Sequence, residues 1–230
     1  MAMISTFEQL HAAFDAYRSD KRWIFRGHAK ADWPLIPKAG REPYQQIDDK
    51  VVFQSWRRQA VAYITSRPQD DWEWLAVGQH HGLATRLLDW SLNPLVACYF
   101  AVREQQPGDA IVYAAKFQWT VPPETESSPH KFSDLAVFRT HRIAERITSQ
   151  SGAFTIHPDP KLPIRADSKG VLGLDEIRIS EGFRNTLRSQ LSYYGFNDAT
   201  LFPGLDGVSS HINWTIEAKE YWKQLSPSVI

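Results

Sequence analysis

Between residues 79 and 94 the chain must end one helix, run one short strand and start another helix, and this requirement constrains its fold more than any other stretch does. The residues there read Gln-His-His-Gly-Leu-Ala-Thr-Arg-Leu-Leu-Asp-Trp-Ser-Leu-Asn-Pro. Gly82 is a natural stop for a helix over residues 70–81, which Asp70 or Asp71 can cap at its start. Residues 83–88 then read as a buried strand. Pro94 suits the first turn of a helix over 95–105, whose opening residues are apolar nearly all round, so that helix belongs in the middle of a core. A strand that ends in charged residues and passes into a helix is a place where many proteins hold ligands.

The flanking sequence fills in the rest of one domain. Ser5 and Glu8 have capping-box spacing, and Phe7, Leu10, Ala13, Phe14 and Tyr17 recur at helical intervals, which predicts an amphipathic helix over 6–18. Residues 23–25 form a short aromatic strand that delivers Arg26 and Gly27, and prolines 34, 37 and 43 turn the next stretch into a loop. A second helix is expected over 47–65. Residues 109–117 are the clearest strand, 121–130 a surface loop, 140–150 a helical or turn segment and 153–157 a strand released by Gly152. A loop over 158–173 leads to a strand at 177–179, a helix over 181–194 closed by Gly195, and a terminal helix within 205–223. Neither an internal repeat nor a convincing linker divides the chain, so residues 1–230 are read as a single α+β domain. Its central sheet is expected to be mostly antiparallel and surrounded by helices.

Composition narrows the functional classes. With 26 basic and 26 acidic residues and a pI near 7.1, the chain lacks the broad charge footprint of a protein that coats duplex nucleic acid or an anionic membrane. Any anionic ligand has to be met locally. Cys98 is the only cysteine, so no internal disulfide forms and a reducing cytoplasm is the simplest setting. The N-terminus lacks the pattern of a signal peptide, and no run of about 18 apolar residues argues for a membrane span. Nine tryptophans are many for this length; packing is their ordinary use, and stacking on a nucleobase or nicotinamide is the alternative.

Several side chains are candidates for chemistry. Arg26 follows an apolar strand and precedes a glycine, so it can meet a phosphate or carboxylate ligand, or pair internally with an aspartate such as Asp89. Arg86 and Asp89 flank two leucines, where an isolated buried charge is costly; both are expected in one polar network, structural or ligand-binding. His80 and His81 are adjacent on a helix and so point about 100° apart, which opposes joint binding of one metal ion. No second cysteine, His-x3-His pair or acidic cluster supplies further ligands, so no metal is expected. The phosphate-cradling glycine loops and the Gly-x-Ser-x-Gly elbow are absent as well.

Phe25-Arg26-Gly27, together with residues 79–91, resembles the FRG domain family, which takes its name from a Phe-Arg-Gly signature. Arg142 and Arg146 leading to Gln150-Ser151-Gly152-Ala153-Phe154, then Gly195-Phe196, then residues 201–207, resemble that family's later motifs in order. The chain is also similar to arginine-type ADP-ribosyltransferases. Phe25-Arg26-Gly27 is similar to their first strand, Asp89-Trp90-Ser91 stands in the place of their Ser-Thr-Ser, and Ala97-x-x-Phe100 matches the helix that follows. That resemblance implies a split sheet and a cleft that binds NAD or a related nucleotide. It places Arg26 on the phosphates or ribose and Ser91 on the nicotinamide ribose or a catalytic side chain, with His80, Arg86 and Gln150 as further cofactor contacts. Arg26, Asp89 and Gln150 become the candidate catalytic residues. The implied activity is cleavage of the nicotinamide–ribose bond, to modify a macromolecular target or hydrolyse the cofactor, as a bacterial or phage toxin or defence effector. The transferases use a glutamate on a later strand, where this chain has Gln150, and Asp89 or Glu176 are the carboxylates that could replace it. The alternative is a non-catalytic module that binds a nucleotide, nucleic acid or protein.

Overall fold

In the computed structural model, which describes residues 3–64, 67–122, 125, 127–139 and 150–219, a six-stranded sheet is nearly cut in two at its centre. Its strands are β1 (Ile24–His28), β2 (Leu87–Ser91), β3 (Ala110–Phe117), β4 (Ala136–Phe138), β5 (Gly152–Ile156) and β6 (Val171–Ile179), in the spatial order β4-β5-β2-β1-β3-β6. Every neighbouring pair is antiparallel. The central pair, β1 with β2, is in register only at Phe25 opposite Ser91, whereas β1 pairs with β3, and β2 with β5, along their full lengths. Two three-stranded halves therefore meet at a single point. The described helices are α1 (Phe7–Asp15), α2 (Asp49–Ala60), α3 (Asp71–His80), α4 (Pro94–Arg103), α5 (Arg184–Tyr193), α6 (Asp198–Leu201) and α7 (Leu205–Glu217). The expected α+β class with an antiparallel sheet holds, and no described helix is long and apolar enough to cross a membrane.

Strand alternation decides which side chains meet which layer. On one face, Phe25, Val112, Ala114, Ile177 and Ile179 pack against α1, α4 and α5 beneath the β1-β3-β6 half. On the same face of the other half, Leu87, Ala136, Phe138, Phe154 and Ile156 pack against Phe53 of α2 and Trp72, Trp74 and Leu75 of α3. The opposite face buries Ile24, Leu88, Trp90, Ile111 and Tyr113 beneath loops that carry Leu35 and Ile164. α4 is the central helix the sequence predicts, with Val96, Ala97, Cys98, Tyr99, Ala101 and Val102 all buried. Its Asn93 cap and Pro94 start it sharply as β2 ends.

Gly27 explains how that helix lies so close to the sheet. A Cβ at this position would stand 1.9 Å from the Ala97 carbonyl oxygen and 2.6 Å from the Ala101 nitrogen, so backbone meets backbone. The Phe-Arg-Gly triplet thus divides its work by alternation. Phe25 and Gly27 face α4, and Arg26 points to the other side.

Several boundaries differ from expectation, each for a local reason. α1 is capped by Thr6 rather than Ser5, because the Thr6 hydroxyl receives the Gln9 N–H while Gln9 Oε1 receives the Ser5 N–H. The strand expected over 83–88 forms instead as β2, four residues later at its start. The Thr85 hydroxyl takes the Leu87 N–H and the Thr85 carbonyl takes the Ala39 N–H, so this backbone is held by a loop until β5 becomes available from Leu87 onward. β6 begins at Val171, well before the expected 177, because β3 offers it a partner along its whole length. The segment 140–149, with Arg142 and Arg146, and the terminal helix beyond residue 219 lie outside the described residues.

Arg86 and Asp89 do not share a network. Arg86 is buried and makes a bidentate pair with Asp49 at the start of α2, Nε to Oδ2 at 2.8 Å and Nη2 to Oδ1 at 2.7 Å. His130 Nε2 stands 3.4 Å from the same carboxylate, a long contact rather than a well-formed hydrogen bond. Burial pushes the Asp49 carboxyl up, but the Arg86 bonds and the nearby His130 ring outweigh it and bring the pKa from 3.8 to about 2.

Gly27→Ala is expected to force α4 off β1 and to cost more than about 3 kcal/mol, which thermal unfolding followed by circular dichroism will read. Arg86→Ala strands the buried Asp49 carboxylate and should cost about 3–5 kcal/mol in urea unfolding. Since the Asp49 pKa is depressed on folding, its stabilisation is in place above pH 3.8 and is lost as pH falls through about 2. Asp49→Asn should flatten that part of the stability profile, and an unchanged acid limb would show that the pair does not set it.

Candidate functional site

Past the Phe25–Ser91 pairing the two central strands diverge, and a cleft of about 340 Å³ opens between the halves of the sheet. This lies at the lower end of the roughly 300–1,000 Å³ common for small-molecule sites. Arg26 and His28 of β1 face Asp89 and Trp90 of β2 across it. α3 brings Gln79 and His80 to the rim, α4 brings Phe100, the connection after β1 brings Trp33 and Arg41, and Gln150 closes the end nearest β5.

Arg26 bridges the gap. Where the strands part, the Asp89 carbonyl accepts a hydrogen bond from Arg26 Nη1 at 2.6 Å, and the Asp89 carboxylate lies 3.9 Å from the same nitrogen. Arg26 Nε donates to His28 Nε2 at 2.9 Å. Guanidinium has no acceptor, so Nε2 must be the unprotonated nitrogen of His28, and its Nδ1–H donates to the Trp33 carbonyl at 3.2 Å. His28 is therefore neutral: burial and then the Arg26 charge hold its pKa near about 3. Burial also lowers Arg26 to about 10, with Asp89 opposing the shift and Arg41 adding to it, so Arg26 remains a cation at neutral pH. Its Nη2 has no hydrogen-bond partner among the described residues. A largely desolvated guanidinium with an open donor edge is a ready receptor for phosphate or carboxylate oxygens.

Arg41 is the second cation. Its Nε and Nη2 both donate to the Ile36 carbonyl, at 2.9 and 2.6 Å, which fixes the guanidinium at the cleft wall. Burial lowers its pKa and the nearby Asp89 raises it. Asp89 in turn accepts from Gln79 Nε2 at 2.7 Å. His80 lines the cleft with its ring edge-on to His81, centroids 4.9 Å apart.

Ser91 and Gln150 are in place but committed. The Ser91 hydroxyl donates to the Gln150 carbonyl at 2.7 Å and accepts the Asn93 N–H at 3.0 Å, tying β2 to the start of β5 and to the cap of α4. Gln150 Nε2 donates to the Leu201 carbonyl of α6 at 2.9 Å. Both side chains hold the cleft's far end together.

The structure thus brings Arg26, His80, Asp89, Ser91 and Gln150 to one cleft, and it takes Arg86 elsewhere, because a buried guanidinium finds its carboxylate in Asp49. Sequence reasoning missed His28, Gln79, Trp33 and Arg41 as site residues. The signal for His28 was its place two residues after Arg26, on the same face of β1. Gln79 opens the segment that carried most of the sequence information. Trp33 and Arg41 had no local signal, since their loop is brought to the cleft only by tertiary contacts. Among the described residues, no group of three or more His, Cys, Asp or Glu side chains could hold a metal ion.

Comparison with known proteins adds one finding at the level of family. Neither a curated protein nor a solved structure matches the chain. The FRG domain matches residues 21–110, a span that runs from just before β1 to the first residue of β3 and includes Arg26, Gln79, His80, Asp89 and Ser91. The Phe-Arg-Gly strand packed on α4 and the cleft-lining β2 both lie inside the stretch that is similar to the FRG domain.

Proposed function

We propose that the cleft binds NAD or a related nucleotide and that Arg26 and Asp89 serve cleavage of the nicotinamide–ribose bond. The observation that carries this reading is the meeting of a largely desolvated cation and an exposed carboxylate, 3.9 Å apart, in a cavity walled by aromatic rings. Arg26 and Arg41 offer donors to a diphosphate. Trp33, 38% exposed at the wall, offers a face to a base. In the reaction the C–N bond breaks and its electron pair goes to nicotinamide, which leaves neutral. Positive charge develops on the ribose, and the Asp89 carboxylate opposes it. Water or a nucleophile on a target then adds at the anomeric carbon and gives up its proton. Loss of NAD or modification of a cellular target is chemistry suited to a toxin or defence effector.

One observation favours a second reading, a nucleotide-binding module without chemistry. The polar groups at the places of the transferases' serine and glutamate, Ser91 and Gln150, are bound to backbone carbonyls, and Gln150 carries no charge. Asp89 is then the carboxylate on which catalysis rests.

Calorimetric titration with NAD should show binding that weakens at least about tenfold in Arg26→Ala, the scale of one lost charge-assisted hydrogen bond. Chromatography after prolonged incubation should show free nicotinamide with the wild type and none with Asp89→Asn. Binding without release selects the second reading, and absence of any nucleotide binding removes both.

A further inference from the structure

Asp89 is held by a relay that starts in the core. Thr85 is buried, and its hydroxyl oxygen already accepts the Leu87 N–H at 3.1 Å, so its own proton goes to Gln79 Oε1, 2.6 Å away. With its carbonyl oxygen engaged, the Gln79 amide must turn its NH₂ toward Asp89, where Nε2 donates to Oδ2 at 2.7 Å. The direction of each bond is forced by the one before it. Oδ1 is left with no hydrogen-bond partner among the described residues, on a side chain 56% exposed in the cleft.

An ionised carboxylate only accepts hydrogen bonds. It repels phosphate and gains little from a base's stacking face, while Arg26, Arg41 and Trp33 already provide for those two parts of a nucleotide. The part that remains is the sugar, whose hydroxyls are donors. A carboxylate that accepts from a ribose 2′-hydroxyl distinguishes ribose from deoxyribose, because only the former fills it.

We infer that Thr85 and Gln79 are positioning residues that aim Asp89 at a ribose hydroxyl of the bound nucleotide and make the cleft selective for ribonucleotides. The inference rests on the nucleotide reading of the cleft. It goes further in naming the sugar and the two residues behind the selectivity.

The test is calorimetric titration with ADP-ribose and its two monodeoxy analogues, each lacking the 2′-hydroxyl of one ribose. The wild type should bind one analogue about ten- to a hundredfold more weakly than ADP-ribose, the scale of a hydrogen bond to a charged group. The ratio between the ligands is the readout, since a variant that is merely less stable weakens all three alike. Thr85→Ser keeps the hydroxyl and should keep the ratio, whereas Thr85→Val should bring it toward one. Gln79→Met, on the half-buried helix surface, removes the donor to Asp89 together with the acceptor of the Thr85 proton, leaves the Thr85 side chain itself in place, and decides the matter should Thr85→Val fail to fold. Equal binding of all three ligands by the wild type, or a Gln79→Met protein that retains the preference, overturns this inference and leaves the nucleotide reading standing. No binding of ADP-ribose overturns both.

Discussion

Arg26 stands where strand pairing stops. An antiparallel sheet satisfies its backbone groups by continuous laddering, and this one breaks off at its centre after a single pairing. The guanidinium takes the Asp89 carbonyl that the break exposes, and so allows the two halves to part without an unsatisfied acceptor. The same side chain fixes the tautomer of His28 and lends its charge to the cleft. The opening in the sheet and the cation beside it are two consequences of one residue.

What keeps the split from spreading is the close seating of α4. Gly27 lets the helix backbone rest on β1, and Ser91, one residue before the turn into that helix, binds the Asn93 N–H and the Gln150 carbonyl together. Arg184 then fastens the other end of α4. It is buried and donates to the carbonyls of Ala29, Gln106, Gly108 and Glu104, at 2.7–2.9 Å, so carbonyl dipoles at a helix C-terminus and its following loop stabilise the cation. Burial lowers its pKa, and the charges of Glu181 and Asp109 oppose that shift.

Some charged residues of this chain secure the fold and others face the cleft, and adjacency in sequence does not separate the two kinds. Arg86 and Asp89 lie three residues apart, yet one is locked to Asp49 in the core and the other opens to solvent. Both looked alike in the sequence, as charges beside leucines. The partner decided the matter, and for Arg86 that partner is thirty-seven residues away at the start of α2. Likewise Ser91 and Gln150 line the cleft, but what their side chains do there depended on backbone carbonyls and an amide that no spacing could reveal.

By itself the sequence determined the features that rest on local pattern: the antiparallel α+β class, the apolar α4 with its Asn-Pro start, the helix stop at Gly82 and the Phe-Arg-Gly strand. Periodicity, capping and turn chemistry act within a few residues, so they are legible along the chain. Tertiary structure alone decided that β2 starts at Leu87, that β1 and β2 part after one pairing, that Trp33 and Arg41 wall the cleft, and that Arg86 leaves it. Each of these is settled by a partner distant in sequence, because a strand needs a neighbour's open edge and a buried charge needs the nearest opposite one.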